Sequence, residues 1–166
     1  MRHIISILMQ NEAGALARVA ALFSTRGYNI ESLSVAPTED PEVSRLTLVT
    51  MGSEDVIEQI MKQLLKLVDV VNTIDMTMGD HIERELLLMK IKLASGSEQK
   101  AADCVSDAGA RVLDDSSANY TVELTGANHR MDEFVSNLGN CGEILAVVRS
   151  GAMAIARGQQ VLGTHT

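Results

Sequence analysis

The residues best suited to chemistry lie near the start of the chain, at Asn11, Glu12, Ala13 and Gly14. They sit inside Gln10 to Leu33, QNEAGALARVAALFSTRGYNIESL, between a β-rich run and an amphipathic helical pattern. A loop of this kind delivers the first turn of a helix. Peptide N–H groups there have no intrahelical partner and carry the positive end of the helix dipole. The chemistry on offer is capture of a small carboxylate. The plainer reading is a strand–helix turn, because Asn and Gly are common in turns for local reasons alone.

No catalytic set competes with this stretch. The four histidines, His3, His81, His129 and His165, are scattered and form no HxxxH or Cys/His pattern at metal-ligand spacing. The nucleophile elbow GxSxG, the phosphate loop GxxxxGK and the dinucleotide fingerprint GxGxxG are all missing. Ser34, Ser44 and Thr50 lie in strands with no partnered base that a sequence can show. Glu39, Asp40 and Glu42 cluster in a loop and read either as a divalent-cation site or as a solvated face. The nine methionines suit core filling or an adaptable contact surface better than a metal site. The chain therefore reads as a regulatory or binding protein, with no catalytic residue and no metal ligand expected.

Composition narrows the partners. The 166 residues allow one large or two small domains, and 46% hydrophobic content supplies real cores. A net charge of −8 repels nucleic acid phosphates and anionic membrane surfaces. With no Trp, two Phe and two Tyr there is almost nothing on which to stack bases. Cys104 and Cys141 form no CxxC pattern, so a disulfide scaffold is not expected and a reducing cytoplasm is the simplest home. The short apolar run at the N-terminus meets Asn and Glu too soon for a signal peptide, and nothing approaches the ~20 apolar residues of a membrane span.

The elements that must position the loop follow from periodicity. Arg2 to Met9, apolar on both faces, suits a central covered strand. Leu16, Val19, Ala20 and Phe23 form a helical stripe that Gly27 should stop. Strands follow over Tyr28 to Ala36 and Val43 to Thr50, joined by the Pro37 to Glu42 loop. A helix capped by Ser53, with Val56, Ile60, Leu64 and Leu67 inward, leads to a strand over Val68 to Met76. This β-α-β-β-α-β order makes an antiparallel sheet with both helices on one face. The other face of the first sheet is not obviously polar and needs a cover. The order repeats as strand Glu85 to Leu93, helix Ser97 to Ala108, strand Ala110 to Asp114, a turn at Asp115 to Ser117, strand Tyr120 to Leu124, helix Asn128 to Leu138 and strand Glu143 to Arg149. We therefore expect an α+β chain of two ferredoxin-like βαββαβ domains, at 1–77 and 85–150. A linker spans 78–84, and a tail, 151–166, has no core role and a frayed end.

Longer phrases point to a family. N-E-x-G-x-L-x-R-V, R-G-Y-N-I-E-S-L, V-A-P-T and K-Q-L-x-K-L-V-D-V are followed by E-R-E-L-x-L-x-K-I, Ala118-Asn119-Tyr120 and Arg149-Ser150-Gly151. Together they closely resemble the small regulatory subunit of acetolactate synthase (acetohydroxyacid synthase), an ACT-domain family, along nearly the whole chain. The resemblance implies a non-catalytic subunit that activates a large catalytic subunit and confers feedback inhibition by valine, with leucine or isoleucine as variants. It implies that thiamine diphosphate, FAD and Mg²⁺ belong to the large subunit, which condenses pyruvate with pyruvate or 2-ketobutyrate. It also implies a homodimer formed through the N-terminal domains, with the effector at their interface.

Under that resemblance the N–H groups of Gly14, Ala15 and Leu16 take the effector's carboxylate. Asn11 and Asn29 offer amide oxygens to its ammonium from opposite chains. Ile30 and Leu33 line a small apolar pocket, and Ala36 lies near the same end. Pairing of two chains would also explain the apolar residues left unburied in one. The competing reading is a free-standing ACT sensor of another enzyme or of transcription.

Overall fold

The computed structural model describes residues 1–116, 119–159 and 161–163. Ser117 of the expected turn, Ala118 of the Ala118-Asn119-Tyr120 triplet, His165 and the expected frayed end at 164–166 lie outside the described residues.

The elements run β1 (Arg2–Gln10), α1 (Ala15–Thr25), β2 (Ile30–Pro37), β3 (Val43–Met51), α2 (Glu54–Leu64) and β4 (Val70–Asp75). There follow β5 (His81–Leu93), α3 (Glu98–Ala108), β6 (Arg111–Asp114), β7 (Asn119–Gly126), α4 (Asn128–Gly139), β8 (Gly142–Arg149) and β9 (Met153–Ala156). The chain divides into two compact units: Met1–Ile82 with the segment from Ala152 onward, and Glu83–Gly151.

The first unit orders its strands β2-β3-β1-β4, all neighbours antiparallel. The second orders them β6-β7-β5-β8 in the same sense, and β9 pairs with β5. In each unit the first strand lies inside, between the third and fourth. The repeated element order is therefore a repeated topology.

Helix ends behave as their sequence requires. Gly27 takes φ 72°, a left-handed conformation that an L side chain resists. It donates to Ser24 O at 3.1 Å while Tyr28 N–H reaches Phe23 O at 2.9 Å, which closes α1 with a Schellman pair of bonds. Ser53 stands at the α2 N-cap as expected, but its side chain makes no capping bond.

One face of the first sheet carries the helices. Ile5, Ile7 and Met9 of β1 and Leu46 and Leu48 of β3 pack against Ala15, Val19 and Phe23 of α1 and Ile57, Ile60 and Leu64 of α2. The inward stripes begin on Ala15 and Ile57, with Leu16 and Val56 only half-buried at their margins. The fourth strand starts at Val70 rather than Val68, whose side chain is 88% exposed.

The opposite face corrects the reading of 151–166. Ile4 clusters with Val49, Met76, Ala152 and Ala154, while Leu8 clusters with Val43 and Leu162. Arg45 Nη2 donates to Leu162 O and Asn72 Nδ2 to Gly163 O, each at 3.0 Å. The segment expected to be a tail without a core role is the cover of this face. The reason is β1, whose apolar residues alternate on both sides and cannot be left against water on either. No second copy is needed to bury this surface. The span expected as a linker, 78–84, also enters β5 at His81, and Asp80 O accepts Arg157 N–H at 2.9 Å.

In the second unit α3 and α4 cover Leu87, Met89, Ile91, Val122 and Leu124 with Ala101, Val105, Met131, Phe134 and Leu138. Arg149, at the end of β8, grips the buried Glu85 with Nε and Nη2 at 2.9 and 2.8 Å. It also reaches Asp132 Oδ1 at 2.6 Å and Asn128 Oδ1 at 2.9 Å. The bond to Glu85, then that to Asp132, drives the guanidinium pKa above its ordinary value, so the buried carboxylate always faces a cation.

Removing residues 152–166 should bare Ile4, Leu8, Val43, Val49 and Met76. Each large apolar side chain is worth about 1.5–3 kcal/mol on burial, so the loss amounts to several kcal/mol. A lower thermal midpoint and stronger binding of a hydrophobic dye are expected. An unchanged midpoint would show that the segment is not the cover.

Candidate functional site

The loop after β1 is tied down on both sides. Gln10 N–H donates to Asp69 O at 2.7 Å, which fixes the end of β1 to the entry of β4. Asn11 N–H donates to Glu42 O at 2.8 Å, and Asn11 Nδ2 to Pro41 O at 2.9 Å. Two bonds to the β2–β3 loop thus hold Asn11 and leave its Oδ1 as the acceptor. Gly14 adopts φ 90° as the N-cap of α1, a conformation that a Cβ would strain. Asn11 to Gly14 are exposed, Ala15 is buried and Leu16 half-buried. Ala15 N–H makes only a long 3.3 Å bond to Glu12 O.

One turn into α1, Arg18 reaches across to Asp69. Its Nε and Nη2 meet the two carboxylate oxygens in a forked pair, the second bond at 2.9 Å. The Asp69 side chain is 7% exposed and that of Arg18 48%. The remaining nitrogen, Nη1, lies 3.0 Å from where a Cβ on Gly14 would stand. Hydrogen bonding to Arg18 holds the Asp69 carboxyl below its ordinary range despite burial, and the same bond raises the guanidinium. Sequence reasoning passed over this pair. Its signal was an acid inside the apolar run Leu67-Val68-Asp69-Val70-Val71, where a buried carboxylate demands a cation.

The other expected site residues divide between the ends of the sheet. Ala36 pairs with Arg45 and Arg45 with Leu8, so Ala36 lies at the loop's end. Leu33 pairs with Leu48, and Leu48 with Ile5, in mid-sheet. Ile30 pairs with Thr50, and Thr50 with His3, at the far end. His3 to Gln10 spans about 23 Å at ~3.3 Å per strand residue. Asn29, just before β2, donates from Nδ2 to Glu31 Oε1 at 2.9 Å, and its carbonyl accepts Thr50 Oγ1 at 2.7 Å. Ile30 and Leu33 pack half-buried against the helix-side core. One chain brings together Asn11, Gly14, Ala15 and Leu16, but not these with Asn29 and Ile30.

Comparison with known proteins decides the family. The model for the AHAS small subunit-like ACT domain matches residues 5–72, and that for the small subunit of acetolactate synthase matches 84–158. The acetolactate synthase isozyme 3 small subunits of Salmonella typhimurium and Escherichia coli are 44% and 43% identical over 162 residues. Each alignment covers 98% of this chain and 99% of the relative. The chain belongs to the acetolactate synthase small-subunit family. The crystal structure of the acetolactate synthase small subunit from Thermotoga maritima superposes with a TM-score of 0.86 at 31% identity, covering 96% of this chain and 99% of that one. The fold is accordingly ACT-like, α+β with two antiparallel sheets. For this family member the match to residue 158 takes in β9, part of the segment that closes the first unit. Among the described residues no helix is long and apolar enough to cross a membrane, and no three His, Cys, Asp or Glu side chains gather to hold a metal.

The lowered Asp69 pKa sets a sign for acid stability. The ion pair contributes fully above the ordinary carboxylate pKa, and the contribution is lost as pH falls through the lowered value. Arg18→Gln should bring the Asp69 titration midpoint back up and weaken the dependence of stability on pH in that window. Carboxyl-carbon NMR titration reads this directly, and an unmoved midpoint would mean that the pair is not populated.

Proposed function

We propose that this chain is the regulatory subunit of an acetolactate synthase. It raises the activity of a separate catalytic subunit and inhibits it when a branched-chain amino acid, valine first among them, binds at the start of α1. Thiamine diphosphate, FAD and Mg²⁺ reside on the catalytic subunit, and both subunits work in the cytoplasm. The observation that carries this reading is the glycine-started helix after β1, in a chain 44% identical to a named small subunit over 98% of its length.

The geometry suits an amino acid. The N–H groups of Gly14 and Leu16 receive the carboxylate, and the weakly held N–H of Ala15 can join them. Asn11 Oδ1 accepts from the ammonium. The far-end residues arrive from a second copy. β2 is an edge strand, and antiparallel pairing of two such edges around Leu33 sets Asn29 and Ile30 of one copy beside Ala36 and the loop of the other. Asn29 then supplies a second amide oxygen, and Ile30, Leu33 and Ala36 shape the apolar side. A pocket of this kind separates side chains differing by one methylene by only ~1–3 kcal/mol, so preference among valine, leucine and isoleucine is a matter for titration.

Gly14→Asp should abolish feedback inhibition of the reconstituted holoenzyme while activation persists, because its carboxylate meets the effector's own. Gly14→Ala, which adds the Cβ without the charge, should lose less. Retention of full inhibition by Gly14→Asp would remove the loop from the site. Failure of the wild-type chain to associate with a thiamine-diphosphate-dependent catalytic subunit would favour a free-standing sensor.

A further inference from the structure

The forked Arg18–Asp69 pair lies directly behind the proposed effector loop. Two of the three guanidinium nitrogens are engaged by Asp69. The third lies 3.0 Å from where a Cβ on Gly14 would stand, beside the residue that starts α1. The two partners differ in access: Arg18 is half-exposed on its helix, whereas Asp69 is buried at the entry of β4, where its own carbonyl holds the end of β1. An incoming carboxylate therefore meets the guanidinium first and Asp69 only through it.

We infer that Arg18 is an effector-binding residue and that Asp69 tunes its strength. The effector's carboxylate takes Arg18 Nη1 together with the α1 N-terminal N–H groups, and Asp69 competes for the same guanidinium charge. This rests on reading the loop as the effector site. It adds a cation to that site and a route from bound effector to β4, since a carboxylate drawing on Arg18 loosens its hold on Asp69.

Calorimetric titration of the full chain with valine, leucine and isoleucine, combined with thermal midpoints, tests the inference. Arg18→Gln should weaken the effector that binds wild type by about tenfold, the value of one charge-assisted hydrogen bond. Asp69→Asn should strengthen it a few-fold by releasing the charge from its counter-ion. Both variants lose the ion pair and should lower the midpoint, Arg18→Gln the more because it leaves the buried Asp69 carboxylate unpaired, so opposite shifts in affinity separate tuning from mere support. Arg18→Lys, at a half-exposed helix position, keeps a readout if Asp69→Asn does not fold: it should lose less affinity than Arg18→Gln. Weakening by both Arg18→Gln and Asp69→Asn, no effect of Arg18→Gln, or equal losses in Arg18→Gln and Arg18→Lys would overturn the inference while leaving the loop as the site. No binding of any of the three amino acids to wild type would overturn the loop itself, and this inference with it.

Discussion

Ile5, Ile7 and Met9 face the helices of the first unit, Ile4 and Leu8 face the other way, and all five are buried. A βαββαβ unit places both its helices on one side of the sheet, so its own elements cover only half of such a strand. The chain meets the remaining half by returning. Ala152 and Ala154 pack under Ile4, Val49 and Met76, and Leu162 packs beside Leu8 and Val43. Small residues at 152 and 154 let a backbone lie close to the sheet, and one large anchor is enough beyond them. The unit is thus closed by residues remote in sequence, and its stability includes a loop-closure cost that a local cover would avoid.

The same strand positions the candidate site. Because β1 is fixed on both faces and on both edges, its end at Gln10 is fixed, and the loop beyond can be held by a few bonds. Asp69 performs two of these tasks at once: its carbonyl holds Gln10 and its carboxylate holds Arg18. Gly14 then turns the chain into α1 through a conformation closed to other residues without strain. The second unit uses the corresponding strand differently. Glu85 in its inner strand is gripped by Arg149 at the end of β8, and β8 leaves Ile144, Leu145, Val147 and Val148 exposed. One topology is closed in one unit by an apolar return and latched in the other by a buried ion pair.

Local rules made most elements legible. Gly27 as a stop, Ser53 as a cap position, the alternation of Val122 and Leu124 and the stripe Met131, Phe134, Leu138 all act within a few residues, and each is where periodicity expects it. The loop at Asn11–Gly14 was legible for the same reason. What escaped depends on contacts distant in sequence. Residues 151–166 read as a tail because their apolar side chains show no helical period and most of the large ones are exposed; the residues that matter, Ala152, Ala154 and Leu162, take their meaning from the far face of β1. Arg18 and Asp69 stand 51 positions apart. Nothing in either neighbourhood names the other, although a lone acid in an apolar run signals that some cation is owed to it.

The charge of the chain also bears on what the loop can accept. At −8 the molecule repels anions at a distance, which argues against phosphate-rich partners. An amino acid carries no net charge at neutral pH, so the overall field neither draws nor excludes it. Its recognition at the proposed site would depend on short-range groups alone. In the proposed site such groups come in matched form: N–H donors and a guanidinium for one end of a zwitterion and, for the other, Asn11 Oδ1 joined by Asn29 of a second copy. Arg18 is already largely balanced by Asp69, with Glu12 adding to the negative side. A simple anion arriving there would gain the N–H groups but find no use for Asn11 Oδ1 and would still oppose the charge of the whole chain. On the proposed reading a zwitterion satisfies both ends without that penalty, so the acidity that disfavours phosphate-rich partners also favours an amino acid over a plain carboxylate.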